Sequence, residues 1–142
     1  MNARFVMSVI VVFVLSSALS AVLHGRILGE DYARLATMGI YRTHEAAREL
    51  MGWMMLGNLL FAIGFTWIYR AGRDLRPWLA QGVRFGIAVS LLYTLPMFLT
   101  YYVVQPTPSD LAAKQAVLGS LMTVILAIAA AFINRDPPRP RA

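Results

Sequence analysis

The feature that most constrains this chain is a set of four apolar runs, each close to the length of a membrane-spanning helix. A helix that crosses the hydrocarbon layer needs about 20 predominantly apolar residues at a rise of about 1.5 Å each. The runs are apolar on all sides and lack the alternation that is typical of membrane β-strands. The sequence therefore predicts an all-α fold, a membrane four-helix bundle with spans at about residues 5–23, 50–69, 83–103 and 111–133.

Composition narrows the class of protein and of chemistry. Apolar residues make up 58% of the chain, which is too much for a soluble domain of 142 residues. We predict one transmembrane domain, residues 1–134, followed by a disordered basic, proline-rich tail, residues 135–142. The absence of cysteine excludes disulfides, thiolate metal sites and thiol nucleophiles.

The distribution of charge predicts the orientation. The N-terminus, the second connection and the tail hold eight arginines and two acids, whereas the opposite side holds five bases and five acids. Lysine and arginine in short flanking segments favour the cytoplasmic side. We therefore predict a multi-pass protein of the cell inner membrane with both termini in the cytoplasm. Its inner arginines are expected to contact anionic lipid rather than nucleic acid.

The first span has a second interpretation. A basic start, an apolar stretch and the small residues SSALSA are also typical of a secretory signal, with cleavage possible after Ser20. The apolar run continues beyond that point and is long enough to span, which favours a retained helix. Cleavage would leave the predicted orientation of the other three spans unchanged.

The first connection is the only long one, and it opens with the stretch HGRILGEDY. We interpret this stretch mainly as a helix end, in which Gly25 adopts the left-handed conformation that terminates a helix. Asp31 is then expected to cap a short amphipathic helix that lies along the outer surface, and Thr43 to cap the helix that follows. The connection is therefore predicted to be structured.

Two histidines raise the alternative of a cofactor site. His24 and His44 both fall on the predicted outer side and could serve as metal or haem ligands. Ligands of a bundle-bound haem normally project into the bundle core, whereas His44 lies in a polar connection. The sequence therefore predicts no cofactor, and the histidine pair remains an alternative.

The interior of the spans carries polar but not ionisable groups. A charged residue deep in the membrane marks a proton path or ion site, and its absence here argues against a proton-driven pump. Asn58 and Thr94 are expected to bond neighbouring helices, and Pro96 to kink the third span. A kink can shape a cavity, so these three residues are the candidates for a ligand cavity.

Small residues recur at four-residue spacing in three of the spans. Such spacing lets membrane helices approach closely, either inside one bundle or between copies. The pairs are Ser16 with Ser20, Gly82 with Gly86, and Ala127 with Ala131.

The stretches HGRILGEDY, FTWIYRAGR, PWLAQGVRFG and YYVVQPTP together resemble the small four-span inner-membrane proteins of proteobacteria that carry no assigned function. The resemblance implies a bundle in the inner membrane and no activity for any residue. We predict a non-enzymatic subunit or accessory protein that acts through helix and loop contacts, as a homo-oligomer or with a membrane protein partner. The alternative is binding or transport of a small neutral or lipid-like ligand.

Overall fold

The computed structural model describes residues 3–74 and 76–135, and within those ranges it is helical with no strand. Helices in four stretches are long and apolar enough to cross a membrane, which confirms the predicted all-α class with four candidate spans. These stretches are Ala3–Ile27, Met51–Ala71, Trp78–Val104 and Ser109–Ile133. Of the predicted disordered tail, all but Arg135 lies outside the described residues.

The described part of the chain contains seven α-helices and two π-helical turns. The first π turn, Leu23–Ile27, extends α1, and the second, Ser90–Thr94, joins α5 to α6 as one spanning helix. The α-helices are α1 Ala3–Val22, α2 Gly29–Thr37, α3 His44–Glu49, α4 Met51–Ala71, α5 Trp78–Val89, α6 Leu95–Val104 and α7 Ser109–Asn134.

Helix α7 is the centre of the bundle, because α1, α5 and α6 all pack against it while α4 packs mainly against α1. The start of α1 and the end of α7 lie together, since Asn134 donates a hydrogen bond to Ser8 at 3.0 Å. The Arg70 guanidinium at the end of α4 lies over the Phe5 ring, 5.8 Å from its centroid. We call this end, which includes the connection 72–77, the loop end.

Small residues bring α5 and α7 together within the chain. A Cβ atom added at Gly86 would lie 2.7 Å from the Val124 Cα, and one added at Gly82 would lie 3.0 Å from the Ala131 Cβ. The predicted glycine and alanine pairs therefore face each other across a single interface, and both alanines are fully buried. Close backbone approach of this kind maximises van der Waals contact where lipid offers no hydrophobic drive.

The serine pair of α1 lies on the side that packs against the rest of the bundle. Ser16 is buried and donates to the Phe13 carbonyl, and Ser20 is within 4.0 Å of the Met122 sulfur on α7. The structure thus places both serines in contacts of one chain with itself.

Residues 28–49, here named the cap segment, fold back onto the opposite end of α7. Leu28 and Leu35 are fully buried against Leu111, and the Asp31 carboxylate bonds the Lys114 ammonium at 3.0 Å. The segment contains α2 and α3, and its buried leucines pack on protein. We call this end of the bundle the cap end.

The predicted helix ends in this region are partly wrong. Gly25 lies inside a π-helical turn, and Gly39 is the only glycine with a positive φ among the described residues, at 74°. Asp31 lies in the first turn of α2, whose cap residue Leu28 offers no side-chain bond. Thr43 does cap α3 and accepts from the Ala46 amide at 3.4 Å. The error at Gly25 arises because the chain widens its helix where we expected it to stop.

The third span is interrupted close to Pro96, near the predicted kink. Proline cannot donate to the carbonyl one turn earlier, so the hydrogen-bond pattern must change there. The change takes the form of the second π turn, in which the Leu95 amide bonds the Ser90 carbonyl. Pro96 itself is exposed on the helix surface.

Candidate ligand-binding cavity

A cavity of about 930 Å³ occupies the cap end of the bundle. Its walls come from α1 with its π turn, α4, α6, α7 and the cap segment, and they are mostly apolar. The lining residues are Ser17, Ser20, Ala21, His24, Gly25, Tyr32, Ala33, Ala36, Ile40, Tyr41, Arg42, His44, Ala47, Met51, Met54, Met55, Asn58, Phe98, Tyr101, Gln105 and Gln115.

Among the described residues, the ring contacts that bridge α4 to the third span lie toward the loop end, which leaves space for the cavity at the cap end. There the Phe65 and Phe85 rings meet at 4.9 Å and the Tyr69 and Phe85 rings at 5.3 Å. The centroids of the Phe61 and Tyr93 rings lie 6.2 Å apart. Nearer the cap segment α4 stays on α1 while α6 stays on α7, and the space between them forms the cavity.

Methionines supply the α4 wall. Met51, Met54 and Met55 line the cavity at successive turns, and Phe98 faces them from α6. Methionine is flexible and polarizable, so it adapts to ligands of irregular shape. Met54 is 51% exposed and Tyr101 is 47% exposed, and Arg42 and His44 of the cap segment are exposed as well. The cavity is therefore open both beside α4 and α6 and at the cap segment.

A hydrogen-bonded row of three side chains forms the polar wall at the cap end. The Tyr32 hydroxyl lies 2.7 Å from His24 Nδ1 and accepts from the Gln115 amide nitrogen at 2.9 Å. Both hydrogen bonds form when Tyr32 donates its single proton to Nδ1 and accepts from Gln115. His24 then carries its own proton on Nε2, which makes no hydrogen bond to any residue that the structure describes.

The environment of Tyr32 keeps its hydroxyl protonated. Burial raises the pKa of this phenol, with the nearby Tyr41 and Asp31 adding to the increase and the Gln115 bond opposing it. Ring contacts fix its position, because Tyr32 stacks on His24 at 5.6 Å and meets the Tyr41 ring edge-on at 5.5 Å. The ring contacts therefore hold the Tyr32 hydroxyl in place between His24 and Gln115.

The three residues predicted to shape a ligand cavity separate in the structure. Asn58 lines the cavity and donates to the Ser17 hydroxyl at 3.4 Å, at the end farthest along α4 from the cap segment. Thr94 is buried on another side, where its hydroxyl lies 3.0 Å from that of Thr123. Neither Thr94 nor Pro96 lines the cavity.

Both histidines of the alternative cofactor site line this same cavity. His24 Nδ1 is occupied by Tyr32, which leaves Nε2 as its free ring nitrogen. Across residues 3–74 and 76–135, no group of three or more histidine, aspartate or glutamate side chains could hold a metal ion. The structure thus brings the two histidines to one cavity without assembling a ligand set for a metal.

Several lining residues were not anticipated from the sequence. Tyr32, Gln115, Met55 and Phe98 carry no motif, and only the cap segment's return onto α7 brings Tyr32 to Gln115. Gln115 alone gave a signal, since an amide in an apolar span must find a partner. The first π turn also marks the site, because π turns occur frequently at functional positions and this one carries His24 and Gly25.

The loop end offers a much smaller space. A hollow of about 220 Å³ lies beside the connection 72–77 and is lined by Asp74, Gln81 and Arg84 among others. Gln81 fills part of this region by bonding both the carboxylate and the backbone carbonyl of Asp74. The polar groups there mainly hold the turn between α4 and α5.

Comparison of this chain with protein-family models, with curated proteins and with solved structures gives no match. Its function therefore has to be inferred from the cavity and its surroundings.

Proposed function

We propose that this protein binds a small lipid-like molecule in the cap-end cavity. The observation that carries the proposal is a cavity of about 930 Å³ that combines adaptable apolar walls with polar groups gathered near one end. Ligand sites are typically concave, mostly apolar and about 300–1,000 Å³ in volume, with few orienting polar groups. The arrangement suits an amphiphile whose polar part meets His24, Tyr32 and Gln115.

The open side of the cavity beside α4 and α6 supports entry from the membrane. Met51 and Met54 line the cavity and are 42% and 51% exposed on the α4 side, and Tyr101 is exposed opposite them on α6. These side chains lie on helices that are long and apolar enough to cross a membrane, which supports an opening toward lipid. A membrane-soluble ligand could enter there without first leaving the bilayer.

Native mass spectrometry of the intact protein, extracted together with its own membrane lipids, tests the proposal. Met55→Trp adds bulk to the cavity wall and is expected to reduce bound small molecule by at least about tenfold, because overfilled sites cannot readily make room. Leu56→Trp is the matched control, since Leu56 is 44% exposed on the same helix and does not line the cavity.

The expected spectrum shows one defined small molecule on the wild-type chain and on Leu56→Trp but not on Met55→Trp. Equal retention by Met55→Trp would place the molecule elsewhere on the surface and overturn the proposal. A wild-type chain that carries no small molecule from its own membrane would overturn it as well.

The predicted role as a non-enzymatic subunit or accessory protein stays a prediction. Its main support was the three small-residue pairs, and the structure uses them for packing within one chain. They therefore no longer point to a homo-oligomer or a membrane protein partner. The cavity gives ligand binding the stronger basis.

For the orientation, we propose that the loop end faces the cytoplasm and that the cell inner membrane is the location. The arginine excess of the N-terminus, second connection and tail supports this, and these arginines would contact anionic lipid. The chain contains no cysteine, so single cysteines report orientation cleanly. A membrane-impermeant maleimide applied to spheroplasts should label Glu30→Cys and spare Arg73→Cys; the reverse pattern would contradict the orientation.

A further inference from the structure

We infer that the ligand is a long-chain amphiphile with an anionic head group, a carboxylate or a phosphate, held at the cap end of the cavity by Arg42. This inference rests on the proposed function and adds the charge of the head group to it. It is carried by the distribution of charge around the cavity and by the direction in which the cavity opens.

The charge that lines the cavity is positive. Among the described residues that line it, none is acidic, and Arg42 carries the one formal charge. The acids of α3, Glu45 and Glu49, do not line the cavity. Asp31, on α2, is already held by Lys114 at 3.0 Å and by Arg34 at 3.6 Å. An anion at this end would therefore meet an uncompensated cation.

Arg42 is free to take that anion. It makes no ion pair or hydrogen bond with any residue in the described ranges. A guanidinium binds carboxylate and phosphate through parallel N–H bonds, which makes it well suited to an oxyanion head. His44 lines the cavity two residues further on, beyond the extended Thr43, and His24 Nε2 offers another donor.

The rest of the cavity suits an aliphatic chain. Along α4 the lining runs from Met51 to Asn58, a distance of about 10 Å at the rise of a helix. Met55 and Phe98 flank this path, and Met54, which is 51% exposed, lies on one of the open sides of the cavity. A chain anchored by its head at Arg42 could therefore lie along the methionines and pass out into the bilayer.

The test uses the purified full-length chain in nanodiscs of phosphatidylcholine, which carries no net charge. A diazirine-bearing hexadecanoic acid is the probe, and labelled positions are mapped by peptide mass spectrometry. Hexadecanoate, hexadecyl phosphate and hexadecanol are the competitors. Preference between the first two identifies the head group, and hexadecanol measures the contribution of charge.

Labelling is expected within residues 51–58 and near Phe98. Hexadecanoate or hexadecyl phosphate should compete at least about tenfold better than hexadecanol, as expected for a charge-assisted bond. Arg42→Gln should weaken probe binding about tenfold, while Arg48→Gln, on α3 and away from the cavity lining, should leave it unchanged.

Failure of this inference is distinguishable from failure of the proposed function. If hexadecanol competes as well as the two anions while Met55→Trp abolishes labelling, the cavity binds ligand but the anionic head is wrong. Equal losses in Arg42→Gln and Arg48→Gln would indicate surface charge and would also overturn the inference. If no labelling maps to the cavity, both proposals fail.

Discussion

The same helices pack closely at one end of the bundle and stand apart at the other. At the loop end, glycine and alanine bring α5 against α7, and buried Phe65 and Tyr69 fill the space beside α4. At the cap end, α4 and α6 stand apart, and flexible methionines face Phe98 across a cavity of about 930 Å³. A membrane bundle can therefore keep its stability at one end and a binding space at the other.

This division follows from residue size. Helices approach closely only where a Cβ atom is absent or small, as at Gly86, where any side chain would meet the Val124 backbone. On α4, by contrast, Gly52, Gly57 and Gly64 have no described atom within 4 Å of an added Cβ, so these glycines do not bring α4 against a neighbouring helix. The contrast yields predictions that differ in size between the two ends.

The largest effect is expected from Gly86→Ala. The new Cβ would lie 2.7 Å from the Val124 Cα and 3.1 Å from the Ala127 Cβ, so α5 must move away from α7. We expect the free energy of unfolding to fall by about 2 kcal/mol, as for other overpacked sites. Titration of the micelle-bound protein with SDS, followed by circular dichroism, measures it.

Gly57→Ala is the matched control for this substitution. Gly57 lies in α4 with nothing within 4 Å of the added Cβ, so the free energy of unfolding of this variant should stay unchanged or rise slightly. Equal losses in the two variants would show that the loop end is no better packed than the cap end.

An intermediate effect is expected from Tyr32→Phe at the cap end. The change removes the hydroxyl that bonds His24 at 2.7 Å and Gln115 at 2.9 Å, and leaves both partners part-buried without it. We expect a loss of about 1–2 kcal/mol in the free energy of unfolding, measured by the same SDS titration. Tyr102→Phe is the control, because Tyr102 is 45% exposed on α6. A loss no larger than that of the control would mean that the row does not hold the cap segment.

The smallest effect is expected from the ion pair of Asp31 with Lys114. The Lys114 side chain is 48% exposed, so solvent screens most of the attraction despite a distance of 3.0 Å. A double-mutant cycle with Asp31→Asn and Lys114→Gln should give a coupling of about 0.5 kcal/mol. A coupling above about 2 kcal/mol would show that electrostatics, rather than the burial of Leu28 and Leu35, attaches the cap segment.

Much of the fold could be predicted because its signals are local. Length and hydropathy gave the four spans, and the glycine and alanine pairs gave a close helix contact. Asn58, one of the three cavity candidates, lines the cavity, and its role in binding stays a prediction. Each of these inferences needs only the type of a residue and its spacing from similar residues along the sequence.

The cap segment and the lining of the cavity depend on tertiary contacts, which the periodic pattern of the sequence does not predict. The π turn at Leu23–Ile27 replaced the expected stop at Gly25, and it extends the first span to meet a cap segment that bends back over α7. That return places Tyr32 beside Gln115, 83 positions along the chain. Thr94 lies away from this cavity and contacts Thr123, because the rotation of its helix decides which side it faces.

The central claim, an occupied binding space at the cap end, is tested most directly by a crystal structure of the protein grown from a lipid phase that contains its native membrane lipids. We expect elongated non-protein density between Met55 and Phe98, with its polar end toward Arg42 and His24. Direct packing of Met55 on Phe98, with α4 and α6 closed together and no density between them, would contradict the account.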